Sequence, residues 1–112
     1  MDEKIKKWLF DIQNSISEIE HYFHSGEKSF YAFQSNTMLK RAIERDLEII
    51  GEAINRILKE NPSVEITSAR KIVGLRNQII HSYDTISDEN IWGIIVNHLP
   101  KLKIEVDLLL NS

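Results

Sequence analysis

The stretch from Ala69 to Ser87, ARKIVGLRNQIIHSYDTIS, sets Arg76, Asn77, His81 and Tyr83 inside an apolar frame of Ile72, Val73, Leu75, Ile79 and Ile80. Arginine carries a planar, permanent cation that fits phosphate oxygens, and histidine ordinarily titrates near pH 6.5, where it can take or give a proton at neutrality. Together they can cleave a ribose-linked phosphodiester without a metal or cofactor. The imidazole would take the proton from a 2′-hydroxyl or give one to the leaving oxygen, while the guanidinium stabilises charge building at phosphorus. Asn77 could orient the phosphate, and Tyr83 could hold a base or donate a hydrogen bond.

Helical geometry constrains this idea. At roughly 100° per residue, Arg76 and Tyr83 share a face, whereas His81 points roughly 140° away from Arg76. Either the helix ends or distorts near Ile80, or a second copy completes the site across a two-fold axis, as an isologous dimer would. The dimer is the favoured solution. Each residue also has a plainer role open to it. Arg76 could pair with Glu52 or Glu48, and a buried pair would tie it to folding as well as chemistry. His81 could meet carbonyls at a helix end. Glu52, beside Gly51, is a candidate to position Arg76 or His81, or simply a solvated carboxylate.

The elements that must position these groups read as helices. Ile5, Trp8, Leu9, Ile12, Ile16, Ile19 and Phe23 recur at helical spacing from about Asp2 to His24. The connector SGEKSFYAFQSN carries Phe30, Tyr31 and Phe33, which mark it as a packed loop or short turn capping the core. Asn36 or Ser35 can cap a second helix that Asn61-Pro62 ends near Glu60, with Leu39, Ile43, Leu47, Ile50, Ile54 and Ile57 as its stripe. Gly51 and Gly74, each inside a helix, predict close approach by a neighbour. Thr67 or Ser68 can cap the third helix. Ser87 can cap a fourth, with Trp92, Ile95, Leu99, Leu102, Val106 and Leu109 keeping the period across a kink at Pro100 or between two nearly collinear helices.

Composition agrees. The chain has 112 residues, 42% hydrophobic and 28% charged, with four Gly and two Pro, which predicts an all-α bundle of four or five helices forming one domain over residues 1–112. A net charge of −3 provides no global basic field, so any nucleic-acid contact must be local. Lys40, Arg41 and Arg45 could guide a phosphate backbone, or form a solvated face. There is no Cys and no apolar run long enough to span a bilayer, and the expected location is cytoplasmic. His21 and His24 lack a third metal ligand, and His98 reads as another surface histidine. Trp8 and Trp92 read as core or interface anchors.

Arg76-Asn77-x-x-x-His81-x-Tyr83 resembles the Arg-x4-His-x-Tyr signature of the HepT-like branch of the HEPN superfamily. RAIERDLEIIGEAINRI from Arg41 to Ile57 and VGLRNQIIHSYDTISDENIW around the motif are also similar to that family, so the likeness covers nearly the whole chain. The resemblance implies a homodimeric, metal-independent endoribonuclease toxin with Arg76 and His81 at a cleft on the dimer axis. It further implies a minimal nucleotidyltransferase antitoxin that neutralises the toxin by adenylylating Tyr83. The rival expectation is a non-catalytic helical partner of the transferase that binds nucleotide or RNA and uses Tyr83 only for docking or modification. A third reading makes the cluster a structural staple.

Overall fold

Six helices, arranged around a core rich in isoleucine, make up the regular structure. The computed structural model describes residues 2–23, 28–82 and 86–112. In chain order the helices are α1 (Glu3–Tyr22), α2 (Phe30–Gln34), α3 (Thr37–Glu60), α4 (Ala69–His81), α5 (Asp88–Asn97) and α6 (Leu99–Leu110). Side-chain oxygens start four of them: Asp2 accepts from the Lys4 amide, Ser29 from Ala32, Asn36 from Leu39 and Ser87 from Asn90. Each satisfies one of the amides that a helix N-terminus leaves without an internal partner.

The expected stripes form the core. Leu9, Ile12, Ile43, Leu47, Ile50, Ile54, Ile57, Ile72, Leu102 and Val106 are all fully buried. α3 is the central member, packing against α1 on one side and α4 on the other. Gln13 of α1 donates to Asp107 of α6 at 2.9 Å, and Lys103 meets Glu20 at 3.1 Å, tying the last helix back onto the first. Two of the three connector aromatics pack as predicted, whereas Tyr31 is 74% exposed. Phe33 is fully buried, and Phe23, Phe30 and Phe33 surround Trp92 with ring centroids 5.6 to 6.2 Å from it.

Six helices replace the four or five expected because the connector adds one, while the last stripe takes the two-helix form already allowed for. The connector contains one extra short helix, capped by Ser29. The last stripe is divided at His98, which closes α5 and opens α6, with Pro100 in the first turn of α6, where a missing amide donor costs nothing. The N-terminal helix ends at Tyr22, short of the expected His24, which lies outside the described residues. No helix among the described residues is long and apolar enough to cross a membrane.

The two mid-helix glycines differ. A Cβ on Gly51 would fall on Arg76 Cβ and lie 3.0 Å from its Cγ and 3.2 Å from the Ile72 carbonyl, so α3 and α4 touch there as expected. Nothing lies within 4 Å of a Cβ on Gly74, so the expectation of close packing at that position is overturned. Gly74→Ala is therefore expected to raise stability by about 1 kcal/mol through helix propensity alone, measured by urea denaturation.

Candidate functional site

Ile72 and Leu75 face the core, and Arg76, one step around α4 from Ile72, is carried to the side of α4 that meets α3. Its stem crosses α3 at Gly51, where a missing side chain leaves the room. The guanidinium then meets Glu52: Nη2 donates to Glu52 Oε2, while Nη1 donates to Asn77 Oδ1 at 2.9 Å. Arg76 Nε is buried and has no hydrogen-bond partner among the described residues. The plainer role predicted for Arg76, pairing with Glu52, is thus present in the structure. Glu48, the other candidate, pairs with Arg45.

Glu52 serves two arginines, accepting from Arg56 Nε at 2.8 Å as well as from Arg76. The Arg56 hydrogen bond above all, joined by the charges of Arg76 and Lys59, holds its carboxyl below the usual range against the opposing effect of burial. Asn77 contacts the guanidinium of its neighbour, so here it orients Arg76. These groups open onto a cleft of about 450 Å³ between α1, α3 and α4, with Trp8, Arg45, Arg56 and Arg76 among its walls. Arg56 was invisible to the sequence reading because its relevance comes only from sharing Glu52 with a residue of another helix.

His81 is the last residue of α4, exposed, and absent from the walls of that cleft. The helix stays regular through Ile80, so one chain does not bring His81 to Arg76. Val73 and Asn77, neighbours of Arg76 on the outer side of α4, are joined by Ile80, which is 42% exposed. Tyr83, the fourth motif residue, lies outside the described residues.

Other predicted candidates change character. Lys40 meets Asp88 at 3.4 Å, Arg41 meets Glu44 at 2.9 Å and Arg45 meets Glu48 at 3.5 Å, so each has a carboxylate partner, which weakens the first of their two possible roles, guiding a phosphate backbone. Ser68 stands at the N-cap of α4 but makes no capping bond, because its buried hydroxyl is hydrogen-bonded to His98 Nδ1 at 2.8 Å. Thr67 turns instead to Glu105 through its hydroxyl and amide. His98 is consequently a half-buried, anchored residue, not the surface histidine expected. No group of three or more metal-ligating side chains occurs among the described residues.

A buried carboxylate lies away from this site. Asp46, 2% exposed between α1 and α3, accepts from the Tyr22 hydroxyl at 3.0 Å. Burial, then the adjoining Glu18 carboxyl, push it up to about 6, against the lowering effect of the Tyr22 and Ser15 hydroxyls. Because the folded state binds this proton more tightly than the unfolded chain, the site favours folding below about pH 4 and loses that contribution as pH rises through about 6. Asp46→Asn should therefore match the parent near pH 4 and exceed it by roughly 1 to 3 kcal/mol at pH 7.5, measured by paired denaturation curves.

Comparison with known proteins follows the same lines. The family model described as "Ribonuclease HepT-like" matches residues 12–109. A Methanocaldococcus jannaschii protein named "Putative RNase MJ1380" is 35% identical over 109 residues, covering 94% of this chain and 95% of the relative. "Putative RNase TTE0752" of Caldanaerobacter subterraneus is 35% identical over 85 residues, covering 75% and 76%. "Probable ribonuclease HepT" of Thermococcus cleftensis is 29% identical, covering 92% and 93%. No solved structure matches the chain.

Proposed function

The chain belongs to the HepT-like ribonuclease family, and from that premise we propose that it is a metal-independent endoribonuclease whose site is completed by dimerisation. The observation that carries the reading is the separation of Arg76 from His81 on α4. A second copy related by a two-fold axis supplies what one chain lacks, placing both pairs along one cleft. The partly exposed strip of Val73, Asn77 and Ile80 beside Arg76 supports α4 as the meeting surface.

In this mechanism His81 exchanges a proton with the 2′-hydroxyl or the leaving oxygen, and Arg76 holds the phosphate as negative charge builds. Glu52 and Asn77 aim the guanidinium. Because Arg56 also bonds Glu52, that carboxylate stays compensated when Arg76 turns part of its fork to a phosphate. Tyr83, two residues beyond His81, is the position at which a minimal nucleotidyltransferase antitoxin would attach an adenylyl group, blocking the cleft with a bulky anion. The protein thereby acts as the toxin of a toxin–antitoxin pair in the cytoplasm.

The Arg76–Glu52 ion pair also favours a second reading, in which the cluster is structural and the chain is a non-catalytic, RNA- or nucleotide-binding partner of the transferase. One experiment separates them. RNA is incubated in EDTA with the protein purified alone and after co-expression with a nucleotidyltransferase, with intact mass recorded for both. Cleavage by the unmodified dimer, lost when adenylyl-sized mass appears on Tyr83, supports the nuclease and its inhibition. An intact dimer that cleaves no better than its His81→Ala variant overturns the nuclease.

A further inference from the structure

α4 and α5 do not close upon each other. Between them runs a groove of about 550 Å³, and a second hollow of about 520 Å³ shares four of its residues, Arg70, Lys71, Asn97 and His98. The opening comes from two glycines on its walls, Gly74 of α4 and Gly93 of α5, since nothing lies within 4 Å of a Cβ on either.

The groove walls carry an excess of positive charge. Among the described residues, seven of the 14 lysines and arginines form ion pairs. Arg70, Lys71 and Lys101 are not among them, and all three border these hollows. Among the described residues Glu89 is the single carboxylate on the walls, and Glu105 lies just behind them, hydrogen-bonded to Thr67. A chain of net charge −3 therefore sets three cations, which form no ion pair among the described residues, against one wall carboxylate across two adjoining hollows, while the cations that begin α3 are paired off.

The groove also points at the motif. Residues three and four apart on a helix are neighbours on its surface, so Arg70, Gly74, Gln78 and His81 form one row along α4. From Arg70 to His81 the row covers about 16 Å of helix axis, a span of a few nucleotides. At its far end Ser68 fixes the half-buried His98 ring against the bend between α5 and α6.

We propose that the α4–α5 groove is a track for single-stranded RNA, in which Arg70, Lys71 and Lys101 hold the phosphates of the strand leading away from His81. The track rests on the ribonuclease reading for its ligand class. It makes affinity for a strand depend on length: an oligoribonucleotide reaching from His81 to Lys101 is held at both ends, whereas a dinucleotide is held only at the motif. Phosphate contacts of this kind position the strand without reading its sequence.

The test uses the full-length protein with His81→Ala, so that bound RNA stays intact, and fluorescein-labelled single-stranded RNA read by anisotropy across a salt series. Combined Arg70→Gln, Lys71→Gln and Lys101→Gln should weaken binding on the order of tenfold or more and flatten the salt slope by about 2, at roughly 0.7 per single-strand phosphate released. The melting curve should be unchanged because all three side chains are exposed. Exchanging them for the other cation, Arg70→Lys with Lys71→Arg and Lys101→Arg, should keep binding. Gly74→Leu, which fills the groove without altering charge, should weaken the longer strand and spare the dinucleotide. In otherwise wild-type protein the glutamine set should lower kcat/KM for the longer strand and leave its kcat in place. RNA binding that is absent in the parent, or equal in affinity and slope in the glutamine set, overturns the track. Lost binding in the glutamine set, with no cleavage by wild-type protein, would keep the track and remove the nuclease.

Discussion

On the proposed reading, His81→Ala is expected to reduce RNA cleavage by about a thousandfold while leaving the fold as it was. The size follows from the worth of a positioned proton-transfer group, about 10² to 10⁴ in rate. The stability follows from exposure: the side chain lies at the end of α4 and makes no hydrogen bond among the described residues, so its loss should stay within about 0.5 kcal/mol. Arg76→Ala should lose a comparable factor, on the order of 10² to 10³ for a charge-stabilising group, but with a measurable cost to folding. Its stem fills the crossing at Gly51 and its fork meets Glu52 and Asn77, so about 1 kcal/mol of packing and partly exposed ion pairing should go with it. Single-turnover cleavage rates and denaturation curves on the same preparations give both numbers. Loss of stability in both variants, without any activity to lose in the parent, would instead mark the cluster as a staple.

Gly51→Ala should be the most damaging single methyl group in the chain. The added carbon would occupy the position of Arg76 Cβ and press on the Ile72 carbonyl, neither of which is the free end of a flexible side chain. α3 and α4 must therefore move apart. Helix propensity favours alanine by ~1 kcal/mol, and overpacking of this kind costs about 1 to 3 kcal/mol, more where backbone is displaced. A net loss of roughly 2 kcal/mol is expected. Activity should fall further than stability, because a shift of about 1 Å in a catalytic group can cost a hundredfold in rate. The contrast with Gly74→Ala, expected to stabilise, makes the pair a sharp measure of where α4 is tightly seated. Equal effects from the two substitutions would show that the Arg76 crossing does not constrain the helix pair.

Much of this was legible in the letters because it is local. The three- and four-residue recurrence of Ile5 to Phe23 and of Leu39 to Ile57 predicts α1 and α3, and all of those positions are buried except Trp8 and Leu39, which pack partly exposed against the core. Asn36 and Ser87 were recognisable as caps because a cap bonds an amide only three residues away. The Asn61-Pro62 stop held for the same reason. The division at His98 was half visible: Pro100 announced an interruption, but a proline in the first turn of a new helix and one kinking a continuous helix look alike in sequence.

The groups that would do chemistry were named by type and spacing, but their circumstances were not. Ser68 has the side chain of a cap, and its hydroxyl goes to a histidine 30 positions later. Lys40 reads as a free cation until Asp88, 48 positions on, is folded against it. Asp46 is one acidic residue among many until Glu18 and Tyr22 of another helix enclose it.

By itself the sequence determined a helical chain, its stripes, two of its four side-chain caps and the motif that identifies its family, since each depends on neighbours within a turn or two. Tertiary structure decided that Arg76 takes Glu52 and leaves Glu48 to Arg45, and that Gly51 is filled while Gly74 is open. It also decided that Arg70, Lys71 and Lys101 gather around one groove with no ion pair among the described residues, while Lys40, Arg41 and Arg45 at the start of α3 each meet a carboxylate. Those outcomes depend on where one helix crosses another, and a crossing is fixed by the packing of whole faces, which no short run of residues contains.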